Sequence, residues 1–186
     1  ITNSKGSKNS LEKFVINKNK IRAIYNPYIK KINFQRYKKT DFIINVGRFR
    51  KQKNQILLVR AFYKFLKKNK NFKLVLVGDG ILKKNIENEI SNLNLDKHVI
   101  LRGWVNNPLK YIRKSKLFVL TSLYEGLGNV LIDAVNHDVP CISTSCKSGP
   151  QEILLNGKGG YILKNNNVTE LSNTMSYCIK NYDKAE

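Results

Sequence analysis

From residue 40 onward, the sequence alternates short apolar runs with stretches whose apolar residues recur at helical spacing. The run 41–47 (DFIINVG) has the β-branched bias of a buried strand, whereas 55–68 carries Ile56, Val59 and Phe62 at helical spacing. Alternating strands and helices predict an α/β fold with a parallel sheet flanked by helices. The predicted strands are 41–47, 72–77, 98–101, 116–121, 139–143 and 159–163, and the predicted helices are 55–68, 82–93, 109–114, 129–136, 150–155 and 168–182.

The first 40 residues do not share this alternation. Their pattern predicts a helix over 4–14, a strand over 20–25 and a turn at 26–27, followed by a basic and irregular stretch at 28–40. We therefore expect this part to be a connector that arrives from another part of the protein.

The positive charge of the chain is concentrated near its beginning. Of the 34 Lys and Arg residues, 21 lie in the first 75 positions, where the acidic residues are Glu12 and Asp41. Such a field favours an anionic partner, which could be a membrane surface, a polyanion or an acidic subunit. A coding bias towards Asn, Ile and Lys is the alternative, in which lysine simply occupies solvated faces.

Cysteine and histidine usage argues against several classes of site. The three cysteines Cys141, Cys146 and Cys178 form an odd set without a Cys-x-x-Cys pair, and the two histidines are His98 and His137. We therefore expect neither a disulfide framework nor a metal site, and a reducing cytoplasm is the simplest setting. No apolar run approaches the ~20 residues of a membrane span, and no signal peptide is visible. The chain does not begin with Met, so we expect a fragment of a longer protein.

The stretch 124–133 (YEGLGNVLID) follows a predicted strand and begins a predicted helix. Gly126 and Gly128 would let backbone N–H groups approach a ligand closely, and a helix N-terminus favours a diphosphate. Glu125 and Asp133 lie eight residues apart and could accept hydrogen bonds from sugar or ribose hydroxyls. Alternatively, both carboxylates could be ordinary helix residues, one favoured by the dipole and one solvated.

Other strands also end in residues suited to a ligand, and the ends of parallel strands meet at one edge of a sheet. Gly47 is followed by Arg48 and Lys53, which suit a diphosphate because one can bind it bidentately and the other adds a point charge. Gly78 and Gly80 would form a tight turn after the second strand. The third strand is followed by 103–105 (GWV), and the fifth by Ser-Thr-Ser and Ser-Gly-Pro at 143–150.

Taken in order, these motifs resemble the carboxy-terminal half of retaining GT-B glycosyltransferases, the glycosyl transferases group 1 enzymes of bacterial polysaccharide assembly. The resemblance runs from about residue 20 to the end, and 21–27 (IRAIYNP) is similar to the family's interdomain crossover. The matching stretches are 46–48 with 53–54 (VGR…KN), 77–80 (VGDG), 103–105 (GWV), 122–134 (SLYEGLGNVLIDA) and 148–153 (SGPQEI).

The resemblance implies a Rossmann-like, nucleotide-sugar-binding domain over 41–186, preceded at 1–40 by the interdomain connector and a remnant of an amino-terminal domain. It implies that Arg48 and Lys53 bind the donor diphosphate and stabilise the leaving nucleotide. Glu125 would contact the donor sugar as the third catalytic residue.

The resemblance also implies a set of substrate-binding residues. Backbone amides of Gly126, Leu127, Gly128 and Asn129 would hold the sugar and diphosphate, and Asp133 would bind the ribose. The family usually has glutamate at this last position, so the shorter side chain could bind more loosely or through water. The glycine turns Gly47, Gly78 and Gly80 would approach the ligand, and Trp104 and Val105 would lie against the base.

The implied reaction transfers a sugar, with retention, from a nucleoside diphosphate sugar to a saccharide or polyprenyl-linked acceptor. Uridine is the expected base because it is commonest among relatives, and no cofactor or metal is expected. The enzyme would be cytoplasmic, with a peripheral position at the inner membrane face. Because the amino-terminal domain is missing, this chain should bind donor but turn over little by itself.

Two other functions are compatible with parts of this sequence. A phosphorylase or a sucrose-synthase-like enzyme could use the same donor site. A basic nucleic-acid-binding module is permitted by the charge, but no recognised signature or stacking surface supports it.

Overall fold

The computed structural model of the protein describes residues 1–25, 37–146 and 148–182. Its centre is a sheet of six strands in the order β3-β2-β1-β4-β5-β6, and every pair of neighbours is parallel. This confirms the predicted α/β, Rossmann-like fold. The strands are β1 (Thr40–Val46), β2 (Lys73–Val77), β3 (Val99–Leu101), β4 (Ser115–Leu120), β5 (Cys141–Ser143) and β6 (Tyr161–Ile162).

Helices cover both faces of the sheet. They are α1 (Lys5–Leu11), α2 (Gln55–Leu66), α3 (Lys83–Asn92), α4 (Leu109–Ile112), α5 (Asn129–Val135), α6 (Pro150–Ile153) and α7 (Val168–Tyr182), with 3-10 turns at Lys18–Lys20, Lys51–Lys53 and Leu155–Gly157. None of the helices in the described ranges is long and apolar enough to cross a membrane.

Successive residues of a strand point to opposite faces, so the sheet builds two cores. Ile43 of β1 joins the core formed with α2, α3 and α7, where Phe62 is fully buried. Ile44, its neighbour, joins the core formed with α4, α5 and α6, where Leu131 is fully buried. Burial on both faces explains why these strands read as continuous apolar runs.

The amino-terminal part differs from its prediction in one place. The helix predicted over 4–14 is present as α1, and the Ser4 hydroxyl caps it by accepting a hydrogen bond from the Ser7 N–H. The strand predicted over 20–25 is reduced to one parallel bridge between Thr2 and Ala23, because its pairing partner contributes a single residue. The predicted turn at 26–27 and most of the stretch 28–40 lie outside the described residues.

Candidate functional site

The loops that follow β1, β2, β3 and β4 surround a cavity of about 620 Å³ at the carboxyl edge of the sheet. This is where open α/β sheets bind ligands. We call this cavity the cleft. It is lined by Asn3, Val46, Gly47, Arg48, Gln52, Lys53, Val77, Gly78, Trp104, Val105, Asn106, Pro108, Glu125, Gly126, Leu127, Gly128, Asn129 and Val130.

The three predicted catalytic residues lie together in the cleft. Lys53 Nζ forms an ion pair with Glu125 Oε1, and both side chains are largely buried. Ser122 Oγ donates to the same carboxylate oxygen at 2.6 Å. Arg48 is exposed, and its carbonyl oxygen accepts a hydrogen bond from Gln55 Nε2 at 3.1 Å. One arginine side chain is therefore open to a ligand, while Lys53 and Glu125 hold each other in place.

Hydrogen bonds join the loop after β1 to the loop after β4. The Leu123 N–H donates to Gln52 O at 2.8 Å, and Gln52 Nε2 donates to Tyr124 O at 2.8 Å. Thr121 Oγ1 donates to Lys53 O at 2.9 Å. These bonds fix the distance between the loop after β1, which carries Arg48 and Lys53, and the loop after β4, which carries Glu125. The site is therefore organised before any ligand arrives.

The turn into α5 lines the cleft from Gly126 to Asn129, and its predicted role in holding the sugar and diphosphate stays a prediction. Gly128 is the N-cap of α5 and has a φ of 89°, a left-handed conformation that glycine adopts without strain. The turn is supported from behind, because Ser148 Oγ donates to Glu125 O at 2.6 Å.

Gly78 and Gly80 are glycines because the loop after β2 packs on the loop after β1. A Cβ on Gly78 would lie 2.0 Å from Gly47 O, and one on Gly80 would lie 2.6 Å from Phe49 O. Gly78 lines the cleft, but Gly80 does not. Gly80 therefore has a packing reason to be glycine, and its predicted contact with substrate stays a prediction.

Of the remaining predicted residues, two line the cleft and one does not. Trp104 and Val105 line the cleft, and the Trp104 side chain is 71% exposed, so a flat apolar surface is available to a base. Asp133 lies on α5, one helical turn beyond Asn129, and is not part of the lining. To bind the ribose, its side chain would have to extend from α5 into the cleft. This predicted contact stays a prediction.

Sequence reasoning missed three polar residues that line the cleft, Asn3, Gln52 and Asn106. Gln52 stands between Arg48 and Lys53 in the motif that follows β1, so its position in that motif could have indicated it. Asn3 lies next to Gly126 in the structure but near the opposite end of the sequence, and no local pattern signals a contact over that separation.

Cys146 contacts the loop after β4 next to the site, but it is a structural residue. Its thiol donates to Ser122 O at 3.0 Å, and the side chain is buried. Burial raises the pKa of the Cys146 thiol, so it stays protonated and structural at neutral pH.

No group of three His, Cys, Asp or Glu residues that could hold a metal ion occurs in the described ranges. The expectation that the reaction needs no metal or cofactor stays a prediction.

The chain is similar to known proteins of one family. The family model described as "Glycosyl transferases group 1" matches residues 29–186. An uncharacterized glycosyltransferase of Methanocaldococcus jannaschii is 41% identical over 135 residues, which are 73% of this chain and 33% of that protein. The N-acetylgalactosamine-N,N'-diacetylbacillosaminyl-diphospho-undecaprenol 4-alpha-N-acetylgalactosaminyltransferase of Campylobacter jejuni is 34% identical, over 90% of this chain and 47% of that protein.

A solved structure shows the same fold with a ligand present. A mutant of S. aureus TarM in complex with fondaparinux, alpha-GlcNAc-glycerol and UDP superimposes with a TM-score of 0.89 at 26% identity, over 97% of this chain and 36% of that one. The chain thus spans half or less of the length of these relatives. Because the family model covers most of the chain and includes every strand of the sheet, the chain belongs to the glycosyl transferases group 1 family.

Proposed function

We propose that this chain is the donor-binding half of a glycosyltransferase that transfers a sugar from a UDP-sugar with retained anomeric configuration. The observation that carries the proposal is the joint placement of Arg48, Lys53, Glu125 and the turn 126–129 around one cavity. A cavity of about 620 Å³ has the size range of small-molecule sites.

Arg48 and Lys53 stabilise the leaving group of the proposed reaction. As the bond between sugar and diphosphate breaks, negative charge builds up on the departing diphosphate. Arg48 can bind it bidentately, and Lys53 is held at the cleft by its pairing with Glu125. Because this arrangement exists before the ligand arrives, little reorganisation opposes the reaction.

Glu125 serves as an orienting group. Its carboxylate is already bonded to Lys53 and Ser122, which fixes its direction and lowers its freedom to attack a sugar carbon. It accepts a hydrogen bond from a donor-sugar hydroxyl, while Trp104 lies against the base and Asp133 binds the ribose. Transfer then proceeds on one face of the sugar without a covalent intermediate, and NMR of the product anomer tests the retention.

The relatives support the choice of donor and acceptor. The TarM structure contains UDP, which favours uridine as the base. The Campylobacter enzyme is named for a diphospho-undecaprenol substrate, which favours a lipid-linked or other saccharide acceptor in surface polysaccharide synthesis. Such an acceptor would place the enzyme at the inner membrane face, where the basic residues near the start of the chain would attract anionic lipid. Co-sedimentation with liposomes that ignored anionic lipid and salt would rule out this attraction.

The test is a calorimetric titration of the chain with UDP, GDP, ADP and UDP-sugars. We expect binding of UDP and of at least one UDP-sugar, and a loss of about tenfold or more in Arg48→Ala, since a charge-assisted bidentate contact contributes about 1.5–3 kcal/mol.

Arg50→Ala is the matched control. Arg50 belongs to the same loop, is exposed and carries the same charge, but it does not line the cleft. Equal losses in both variants would mean that general charge attracts the nucleotide and would contradict the proposed site. A robust transferase rate from this chain alone would contradict the expectation that a further domain is needed.

A further inference from the structure

The carboxylate of Glu152 joins the beginning of the chain to the six strands and the helices α2 to α7, which we call the sheet domain. Its two oxygens accept hydrogen bonds from the Lys5 N–H at 3.2 Å, the Gly6 N–H at 2.8 Å and the Tyr25 hydroxyl at 2.6 Å. We define residues 1–25 as the amino-terminal segment. One side chain therefore binds both the start of α1 and the last residue of this segment.

Glu152 is itself fixed to the loop that supports the cleft. It is the third residue of α6, and it also interacts with the backbone N–H of Gly149, the N-cap of that helix. Burial by itself would raise the pKa of the Glu152 carboxyl, but the hydrogen bonds from Tyr25, Gly6, Lys5 and Gly149 outweigh burial and lower it. The side chain is thus ionised at neutral pH, which strengthens each of these bonds.

The loop around Gly149 lies directly against the turn 126–129, which we call the sugar-binding turn because of its proposed role. A Cβ on Gly149 would lie 2.7 Å from Gly126 O and 2.5 Å from Leu127 O, so no side chain separates the two backbones. Any group that is fixed to this loop is fixed relative to the turn as well.

The two ends of the amino-terminal segment are bonded to each other. The Thr2 N–H donates to Arg22 O at 2.9 Å, and the Ile24 N–H donates to Thr2 O at 2.7 Å. These bonds place Tyr25 beside the start of α1, where both reach Glu152.

This attachment brings Asn3 to the cleft. Its side-chain oxygen and nitrogen lie 2.8 and 2.9 Å from the point where a Cβ on Gly126 would stand. Among the described residues, the Asn3 amide has no hydrogen-bond partner, although it lines the cavity. An amide that can both donate and accept suits a sugar hydroxyl.

We propose that Glu152 is a positioning residue that fastens the amino-terminal segment to the sugar-binding turn, so that the Asn3 amide binds a hydroxyl of the donor sugar. This inference rests on the proposed donor function. It predicts that Asn3 distinguishes a UDP-sugar from UDP, because UDP lacks the hydroxyl that the amide would bind.

The positioning role of Glu152 is tested without any nucleotide. Asn3→Cys and Gly126→Cys are combined in one chain, and the rate of disulfide formation between the two positions is measured with oxidised glutathione. Asn3 Cγ lies 3.3 Å from the ideal Cβ position of Gly126, close to the ~3 Å that separates a sulfur from the far Cβ in a disulfide. The native cysteines are buried and should not compete. We expect trapping to slow about tenfold in Glu152→Gln, because a charged acceptor of several hydrogen bonds is lost.

Two further variants make the trapping result specific. Tyr25→Phe removes a single contact and should give an intermediate rate. Glu170→Gln is the matched control, since Glu170 also accepts two backbone N–H bonds, from Lys164 and Asn165, but outside the cleft. It should trap at the parent rate, and a parent rate in Glu152→Gln would overturn the positioning role.

The sugar contact is tested by titrating UDP, UDP-glucose, UDP-galactose, UDP-GlcNAc and UDP-GalNAc into the parent chain, Asn3→Ala and Glu152→Gln. We expect unchanged affinity for UDP and about fivefold weaker binding of the preferred UDP-sugar in both variants, as for one lost hydrogen bond. Parent-like affinity for every UDP-sugar in Asn3→Ala would overturn the sugar contact. If the parent chain binds no nucleotide, the proposed donor function fails and the Asn3 contact with it, whereas the trapping rates still decide the role of Glu152.

Discussion

The amino-terminal segment and the sheet domain are held in place by different forces. In the sheet domain, side chains such as Phe62 and Phe118 are fully buried between the helices and the strands. In the amino-terminal segment, no residue of α1 is buried, and Phe14 and Ile16 are almost completely exposed. Thr2 and Ser4 of the segment are buried but polar, and directed hydrogen bonds to Glu152 join the segment to the sheet domain.

This difference separates stability from positioning. Burial of apolar area stabilises a fold through many small contacts, so no single contact determines where a side chain points. A few hydrogen bonds add little to stability but fix geometry closely. We therefore expect substitutions in the two regions to affect different measurements.

The largest effect on stability is expected from Phe62→Ala. Phe62 is fully buried and stacks on Phe65 with a centroid distance of 5.9 Å. Its removal leaves a cavity in the core and should lower the free energy of unfolding by about 3–5 kcal/mol, measured by urea denaturation. A loss below about 1 kcal/mol would show that this core does not dominate stability.

An intermediate and pH-dependent effect is expected from Glu152→Gln. The pKa of Glu152 is lowered in the folded protein, so its contribution is fully present above the unfolded pKa of about 4.3 and is lost as pH falls through the folded pKa. Since water reaches the carboxylate, we expect only about 1 kcal/mol. The difference in Tm between parent and variant should therefore be largest near pH 7 and shrink below pH ~4. A difference that is constant with pH would contradict the role of the charge.

The smallest effect is expected from Phe14→Ala, which removes the same side chain as Phe62→Ala from the other region. Phe14 is 86% exposed, so its loss should change the free energy of unfolding of this chain by less than about 0.5 kcal/mol. Urea denaturation beside Phe62→Ala gives the direct comparison. A loss of several kcal/mol would mean that the segment is packed more closely than the structure shows.

The fold of the sheet domain was predictable because its signals are local. Each strand is buried on both faces and therefore reads as an apolar run, and each long helix shows its period within one stretch of sequence. The prediction was poorest where pairing is short. The strand predicted at 20–25 is one bridge to Thr2, and β6 spans two residues where 159–163 was predicted.

The candidate site was predictable to the extent that its residues follow the strands. Arg48, Lys53 and Glu125 stand in the loops that follow β1 and β4, so the parallel order of the sheet brings them to one edge. Glu152 was visible in the motif 148–153, but nothing local indicates that it binds Gly6, which lies 146 positions away. Contacts of this kind depend on how two regions dock, and a single sequence does not record that.

Hydrogen–deuterium exchange of the chain, with and without saturating UDP-sugar, tests the central claim most directly. We predict slower exchange in the loops 47–54 and 122–130, which surround the cleft, and unchanged exchange around the separate cavity lined by Tyr63, Lys67 and His98. Protection at that second cavity without protection of the two loops would contradict the account.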